Sequence, residues 1–499
     1  MSTSPLPWPA DLTARILGSD AGHVPVPLHR LASARMLWLN HRAARDDPQF
    51  HRLGGDVSRY AQHLLDACAF QIVPARASSA ILTGHAPDAI GYADRYGGGR
   101  IGFNGGSGRA VTVNGYYVKG VGRTPLVSSL TSEAHASGGA YLEECVRETI
   151  FAEIAAKEFP FSAVPTLAII DTGVVQVWDT HLEPQSERRT LLVRPTFVRP
   201  AHFQRAAGFH SGYEKEGSLD EHRVCRVFGA AVDALGTDGL SQMYDQLWDR
   251  WTRQLAYAFV HRLPHGSDNT SNLATDGRLA DFGAMSAVPS WAATATALQP
   301  ERFRQRFGVI VGCIRSMAYF FGRHFEQEFA SEEATRRRLE KLYDLYRRTI
   351  ATEVLRACGA TASTAFDAVK ADRGFSLWTR AVTLIGHYQR EMLDLVEATP
   401  DPAIAWDLDQ LWDAQPPTHL RAIRSVLNDL IPAAERDDAR RRNITLARNR
   451  PLLFKREMRS SIYRSVDIDR TLDPAADARR IADLIEHATT ASQRDLGWR

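Results

Sequence analysis

The sequence predicts an α+β fold, with a small β-rich lobe followed by a larger helical lobe. Two observations carry that reading. Short alternating apolar runs, punctuated by glycine, crowd between about 78 and 200, and from about 217 the apolar residues recur at helical spacing. Composition bounds the rest: 499 residues are roughly three domains' worth of chain. With 44% hydrophobic and 24% charged residues, disorder as the main state is excluded. Sixty basic against 58 acidic residues leave a formal +2, so the overall field selects no anionic partner.

Residues 1–77 begin with a proline-rich entry and then carry helical periodicity, as in LHRLASARMLWLNHRAA and RYAQHLLDACAF, which predicts an N-terminal helical extension. Between about 78 and 125 the pattern changes to AVTV and YYVK among glycines. The turn signals Asn104-Gly105 and Asn114-Gly115 predict β-hairpins there. AYLEECVRETIFAEIAAKE, 140–158, has helical spacing and no proline or glycine, so it predicts a helix. TLAIIDTG, VVQVW and TLLVRPTF then read as three strand-like runs. The expected organisation is 1–77 extension, 78–200 β-rich lobe, 201–400 helical lobe with a polar loop at 263–286, and 401–499 helical and arginine-rich.

Within that last region, Arg436 to Arg464 includes Arg440, Arg441 and Arg442, but also Glu435, Asp437, Asp438 and Glu457. Interspersed charge without a stacking aromatic series reads as a solvated helical face or an intramolecular contact, and a nucleic-acid partner is not expected. Trp248 and Trp251 sit in a helix-periodic run and are expected in the core. Five cysteines without CxxC spacing argue against a disulfide framework. The first residues lack a basic, then apolar, signal pattern, and no apolar run reaches the roughly 20 residues of a membrane helix. A cytoplasmic protein with no membrane partner is the expectation.

Three segments carry candidate chemistry. Only six lysines occur, and Lys119 follows a glycine-rich hairpin, where backbone N–H groups and one ammonium can meet phosphate oxygens. Glu148, on the predicted helix, can hold that ammonium in place. The third is His265-Gly-Ser-Asp268-Asn269-Thr-Ser271-Asn272, with Asp281-Phe282-Gly283 nine residues beyond Asn272. LATDGRLA between them reads as a hairpin returning the chain to the same place. Asn272 and Asp281 then supply hard oxygen ligands for Mg2+. Glycine-rich strands, lysine, glutamate, asparagine and DFG occur in protein-kinase order, but the H-R-D-x-x-x-x-N loop is absent.

These residues resemble the selenoprotein O family, pseudokinase-like enzymes that transfer AMP rather than phosphate to proteins. Its motifs G-H, G-D-G-R-A, K-G-A-G-x-T-P, D-G-R-A-x-L-R-S-x-I-R-E, an arginine pair before H-F, and H-G-x-x-N-T-D-N recur in order between about 82 and 286. Here they read Gly84-His85, Gly97-Gly98-Gly99-Arg100, Lys119 to Pro125, Ser137-Gly138-Gly139-Ala140 through Arg147-Glu148, Arg194 and Arg199 before His202-Phe203, and the His265 loop. Gly106-Ser107-Gly108-Arg109 also fits the G-x-G-R turn; the earlier stretch is preferred for its distance to Lys119.

The resemblance implies a protein-kinase-like bilobal fold and ATP with Mg2+ as cofactors. It places Gly97, Gly99, Arg100, Lys119, Ser137 and Gly138 at the nucleotide, Glu148 on the lysine, Arg194 and Arg199 on phosphates, and Asn272 and Asp281 on the metal. It implies transfer of AMP to a protein or peptide acceptor. A peptide-tailoring enzyme, a phosphotransferase and an inactive nucleotide-binding scaffold remain open alternatives. Departures are specific. Ser271 replaces the base aspartate of N-T-D-N, leaving Ser271 itself and Asp268 as catalytic candidates. Ser137 and Gly139 replace the aspartate and arginine of D-G-R-A, and Glu143 the next arginine. Tyr116, Tyr117 and Arg123 are candidate acceptor contacts, and His202 is expected to pack.

Overall fold

The computed structural model describes residues 10–18, 22–72, 82–84, 86–98, 104–132, 136–178, 185–209, 220–288, 307–388, 408–437, 451–466, 473–490 and 492. Strands are β1 (His23–Arg30), β2 (Arg35–Leu39), β3 (Phe70–Gln71), β4 (Ala89–Asp94), β5 (Ala110–Val113), β6 (Tyr116–Lys119), β7 (Ala140–Tyr141), β8 (Ala168–Trp178) and β9 (Gln185–Pro195). Helices are α1 (Ala10–Leu17), α2 (His41–Ala44), α3 (Pro48–Arg52), α4 (Val57–Cys68), α5 (Leu142–Glu158), α6 (Asp220–Val260), α7 (Phe307–His324), α8 (Glu332–Ala357), α9 (Ala362–Ala371), α10 (Ser376–His387), α11 (Thr418–Leu427), α12 (Lys455–Ser465) and α13 (Pro474–Thr489).

The strands form one antiparallel sheet in the order β2-β8-β9-β6-β5-β4-β1-β3, with β7 paired to β9. Alternation along β9 gives it two packed faces. Leu191 and Val193 join Val118, Ile170, Tyr60 and Leu64 in one core, whereas Leu192 joins Ile169, α5 and the helical region in another. Tyr117 pairs with Arg194 and Lys119 with Leu192, so the same parity turns Tyr117, Lys119 and Arg194 toward α5. The β5–β6 hairpin turns at Asn114-Gly115, both at positive φ (48° and 85°), which suits a two-residue turn whose twist matches the strands.

The predicted helix at 140–158 is α5 less its first two residues, which form β7. One expectation holds only in part: within residues 1–77 α1–α4 are helical, and RYAQHLLDACAF contains most of α4, but the region is not helical throughout. His23–Arg30 and Arg35–Leu39 are strands paired to β4 and β8. Pro25 and Pro27 lie at alternate positions of β1, so the two missing donors share one side and the ladder to β4 survives. Pairing partners far along the chain override the local helical spacing.

The helical expectation beyond 217 holds: α6 runs 41 residues with a break at Gly236 (φ 73°), and Trp248 and Trp251 stack in the core with ring centroids 5.8 Å apart. The C-terminal helices return to the β-rich region. Asp477 of α13 and Asp171 of β8 hold Arg188 of β9 between them at 2.6 and 2.7 Å, all essentially buried. Lys157 of α5 donates to the Thr489 carbonyl at 3.1 Å. Near α12, the Ala287 N–H donates to the Leu453 carbonyl and the Lys455 N–H to Ser286 Oγ, both at 3.0 Å. Of the arginine-rich stretch, Arg436 lies over the Trp412 ring at 4.4 Å and Arg459 approaches Glu143 at 3.9 Å, both intramolecular contacts. Arg440, Arg441 and Arg442 lie outside the described residues.

Candidate active site

Lys119 ends β6 and is buried, with three carboxylate oxygens around its Nζ: Glu148 at 2.7 Å, Glu144 at 3.0 Å and Asp281 at 3.1 Å. Glu144 and Glu148 are one helical turn apart on α5, so they present to the same side. Arg194 of β9 pairs with the other oxygen of Glu148, which has no exposed surface. Arg109, at the end of the glycine-rich turn before β5, forms a two-pronged pair with Glu144 at 2.6 and 3.0 Å and donates to the Gly139 carbonyl at 2.9 Å. The sequence-predicted Lys119–Glu148 contact is therefore present, and Asp281 is brought to it from 162 residues away.

Charge shapes these groups. Burial and neighbouring Arg109 oppose an ammonium at Lys119, yet Asp281, Glu144 and Glu148 outweigh them and hold its pKa above the ordinary lysine value. Burial would raise the pKa of Asp281, but Lys119, Arg109 and Arg194 pull it far below the usual carboxylate range. Glu144 is lowered against the same burial by Arg109 and Lys119. All three groups stay ionised at neutral pH.

The hairpin expected between Asn272 and Asp281 forms: Leu273 bridges Leu279, the Gly277 N–H donates to the Ala274 carbonyl at 2.9 Å, and the Ala280 N–H to the Asn272 carbonyl at 3.0 Å. Asn272 and Asp281 are thus brought side by side. The Asn272 amide donates to the Ser267 carbonyl and Oγ, both at 2.9 Å, which orients its carbonyl oxygen. Asp281 holds a left-handed backbone (φ 61°, ψ 72°), uncommon without glycine, and its side chain is 39% exposed beside otherwise buried partners. Next to it, Arg147 donates to the Gly283 carbonyl and pairs with Glu143 at 2.8 Å.

Arg199 is buried, with its guanidinium 4.3 Å from the Phe197 ring centroid and near Tyr96 and Tyr117, and it donates to the Ser271 carbonyl. Its own N–H donates to His202 Nδ1 at 2.9 Å, while His202 Nε2 faces Asp94 at 3.7 Å. His202 is thus packed, as expected, and positions Arg199. Ser271 donates its hydroxyl to Asn269 Oδ1, and Asp268 lies half-buried in the same loop.

Gly97 donates its N–H to the Ala201 carbonyl at 3.0 Å, close to Arg199. Gly138 (φ 73°) lies so close to the loop after Lys119 that a Cβ would meet the Arg123 nitrogen at 2.0 Å, and Ser137 Oγ contacts Tyr141 OH at 3.2 Å. Gly99 and Arg100 lie outside the described residues. Arg109, the alternative in the sequence, is the arginine of a glycine-rich turn that reaches Lys119. Glu144 was missed by sequence reasoning; its position four residues before Glu148 was the available signal. Tyr117 abuts Arg199, whereas Tyr116 hydrogen-bonds Asp47 at 3.0 Å on the other face of the sheet.

The donor set suits a phosphate ligand. Buried Nε–H groups of Arg194 and Arg199 have no hydrogen-bond acceptor, an arrangement that costs stability unless an anion completes it. Among the described residues no group of three or more His, Cys, Asp or Glu is arranged to hold a metal. Two protein oxygens fit Mg2+, which keeps waters and takes phosphate oxygens for its remaining positions. No described helix is long and apolar enough to cross a membrane. No curated protein matches the chain. Residues 89–308, which contain every residue of this cluster, match the family model described as protein adenylyltransferase SelO. Over that segment the chain is similar to the SelO family of protein adenylyltransferases.

Proposed function

We propose that the chain is an ATP- and Mg2+-dependent nucleotidyltransferase that moves AMP onto a hydroxyl or carboxyl group of a protein or peptide. The single supporting observation is the convergence of Lys119, Glu148, Arg194 and Asp281 from four separate elements into one buried charge cluster. In this reading the β-rich and helical parts, about 78–200 and 201–400, are the two lobes of a kinase-like fold with the nucleotide between them.

Lys119 and Arg109 bind phosphate oxygens, Glu148 orients Lys119, and Arg194 and Arg199 use their free Nε–H donors on the rest of the polyphosphate. Asn272 and Asp281 would hold Mg2+, which would supply neutralisation of phosphate charge. The acceptor oxygen attacks the α-phosphorus, the bond to the bridging oxygen breaks, and pyrophosphate leaves with that bond's electron pair. Positioning and charge stabilisation carry most of the rate in such a transfer. Ser271 is a neutral hydroxyl and a weak base, so it is poor as a proton acceptor; Asp268 is the carboxylate of the same loop that would take the acceptor's proton.

ATP labelled on the α-phosphate and, separately, on the γ-phosphate tests this. The proposal expects label on protein or peptide only from the α position; label only from the γ position means phosphoryl transfer. Ser271 in place of an acid favours a second reading, an inactive nucleotide-binding scaffold. That reading expects ATP to raise the melting temperature while no label is transferred from either position.

A further inference from the structure

Lys119 has three ammonium hydrogens and three carboxylate acceptors within 3.1 Å. Of those acceptors, Glu148 is also clamped by Arg194, and Asp281 is the one that faces solvent. Glu144 differs from both: one of its oxygens contacts both Lys119 and Arg109, and the other contacts Arg109. An anion bridging an arginine fork and a lysine is what a phosphate group does, because its oxygens match the fork and leave one for the ammonium. Arg109 is further engaged by the Gly139 carbonyl, so its terminal donors facing the cluster are occupied. The six groups in direct ion-pair contact already balance in charge: Lys119, Arg109 and Arg194 against Glu144, Glu148 and Asp281. A magnesium-bound triphosphate is a net anion, and adding it beside Glu144 sets like charges together in a low-dielectric site.

We propose that Glu144 is a specificity-determining residue of the nucleotide site, an internal carboxylate that stands in for a phosphate on Lys119 and Arg109 and is displaced when nucleotide binds. This rests on the nucleotide-binding reading above. Glu144 is 15% exposed at its side chain, so its carboxylate has a route to solvent, which Glu148 lacks. Displacement makes nucleotide affinity the difference between two anions competing for the same pair of cations. Ligands that contact both cations through a polyphosphate displace it, and a ligand with a single weakly charged group does not. The SelO motif quoted above carries serine where Glu144 stands, so the site of this chain is set for weaker retention of nucleotide.

The test is calorimetric titration of the full chain with Mg·ATP in wild type, Glu144→Ser, Glu144→Gln and Glu144→Asp. Removing the competing charge tightens Mg·ATP binding about tenfold or more in Glu144→Ser and Glu144→Gln, the scale of one lost charge-assisted contact. Glu144→Asp keeps the charge and stays weak. Glutamine retains the size and a hydrogen-bond acceptor for Arg109, so it remains informative if the serine variant folds poorly. Unchanged or weaker binding in the glutamine variant, with wild type binding normally, overturns the inference; weaker binding accompanied by a raised Mg2+ requirement identifies Glu144 as a metal ligand instead. No binding by wild type or any variant overturns the nucleotide reading itself and the inference with it.

Discussion

At Lys119 an ammonium sits among three carboxylates, and each has a distinct consequence on substitution. Asp281 pairs with the lysine and, in the proposed function, would also hold Mg2+ with Asn272, so Asp281→Ala is expected to lower AMP transfer by about a hundredfold or more, the usual scale for losing a charge-stabilising group. A label-transfer assay at saturating Mg·ATP measures this. His202 sets a pH dependence of a different kind. Burial pushes its pKa down to about 4, against the opposing pull of Asp94, so the folded protein keeps it neutral with Nδ1 accepting from Arg199.

As pH falls below about 6.5, the unfolded chain takes up a proton at His202 that the folded protein refuses until about pH 4. Stability is therefore present above that window and lost within it, by roughly 3 kcal/mol from this residue. His202→Asn, which keeps an acceptor for the Arg199 N–H, is expected to flatten the melting-temperature profile between pH 6.5 and 4. An unchanged slope there counts against the assignment. Lys119, Glu148 and Asp281 were legible in the sequence because few residue types perform their chemistry and their chain order is characteristic. Distance along the chain to Lys119 favours Arg100 over Arg109, whereas the short β5–β6 hairpin is what brings Arg109 beside Lys119.

The elements were legible where local pattern and tertiary environment agree. Helix α5 and the β5–β6 hairpin combine favourable spacing with matching turn residues, and both form as expected. β1 and β2 were misread because pairing with β4 and β8, which lie far along the chain, decides their state. The same non-local logic locks α13 to the sheet, where Asp477 and Asp171 share Arg188 and Arg35. Asp477→Ala leaves the Arg188 guanidinium, 1% exposed, with one carboxylate fewer. It is expected to destabilise the protein by about 3–5 kcal/mol, as removing one partner of a buried pair does. Denaturant unfolding of variant and wild type measures this, and equal midpoints contradict it. Nothing in the sequence pattern of residues 473–490 revealed that partner, because a single aspartate on an amphipathic helix reads as solvated.

Across the whole molecule, the matched segment holds the cluster at 89–308, while residues outside it brace the same region. The backbone of Leu453 and Lys455 joins Ala287 and Ser286, a few residues past Asp281, and Arg459 approaches Glu143. Glu143 in turn pairs with Arg147, which holds the Gly283 carbonyl. The C-terminal region therefore rests on the candidate site as well as on the sheet. Its helical character was visible in the sequence; its destination was not, because contacts across hundreds of residues leave no periodic trace. The central claim is that these side chains together bind a magnesium-bound triphosphate. Titration calorimetry of the full wild-type chain with ATP, with and without Mg2+, tests it most directly. The account predicts heat of association that depends on Mg2+ and is lost in Asp281→Ala; no heat, or equal heat in the variant, contradicts it.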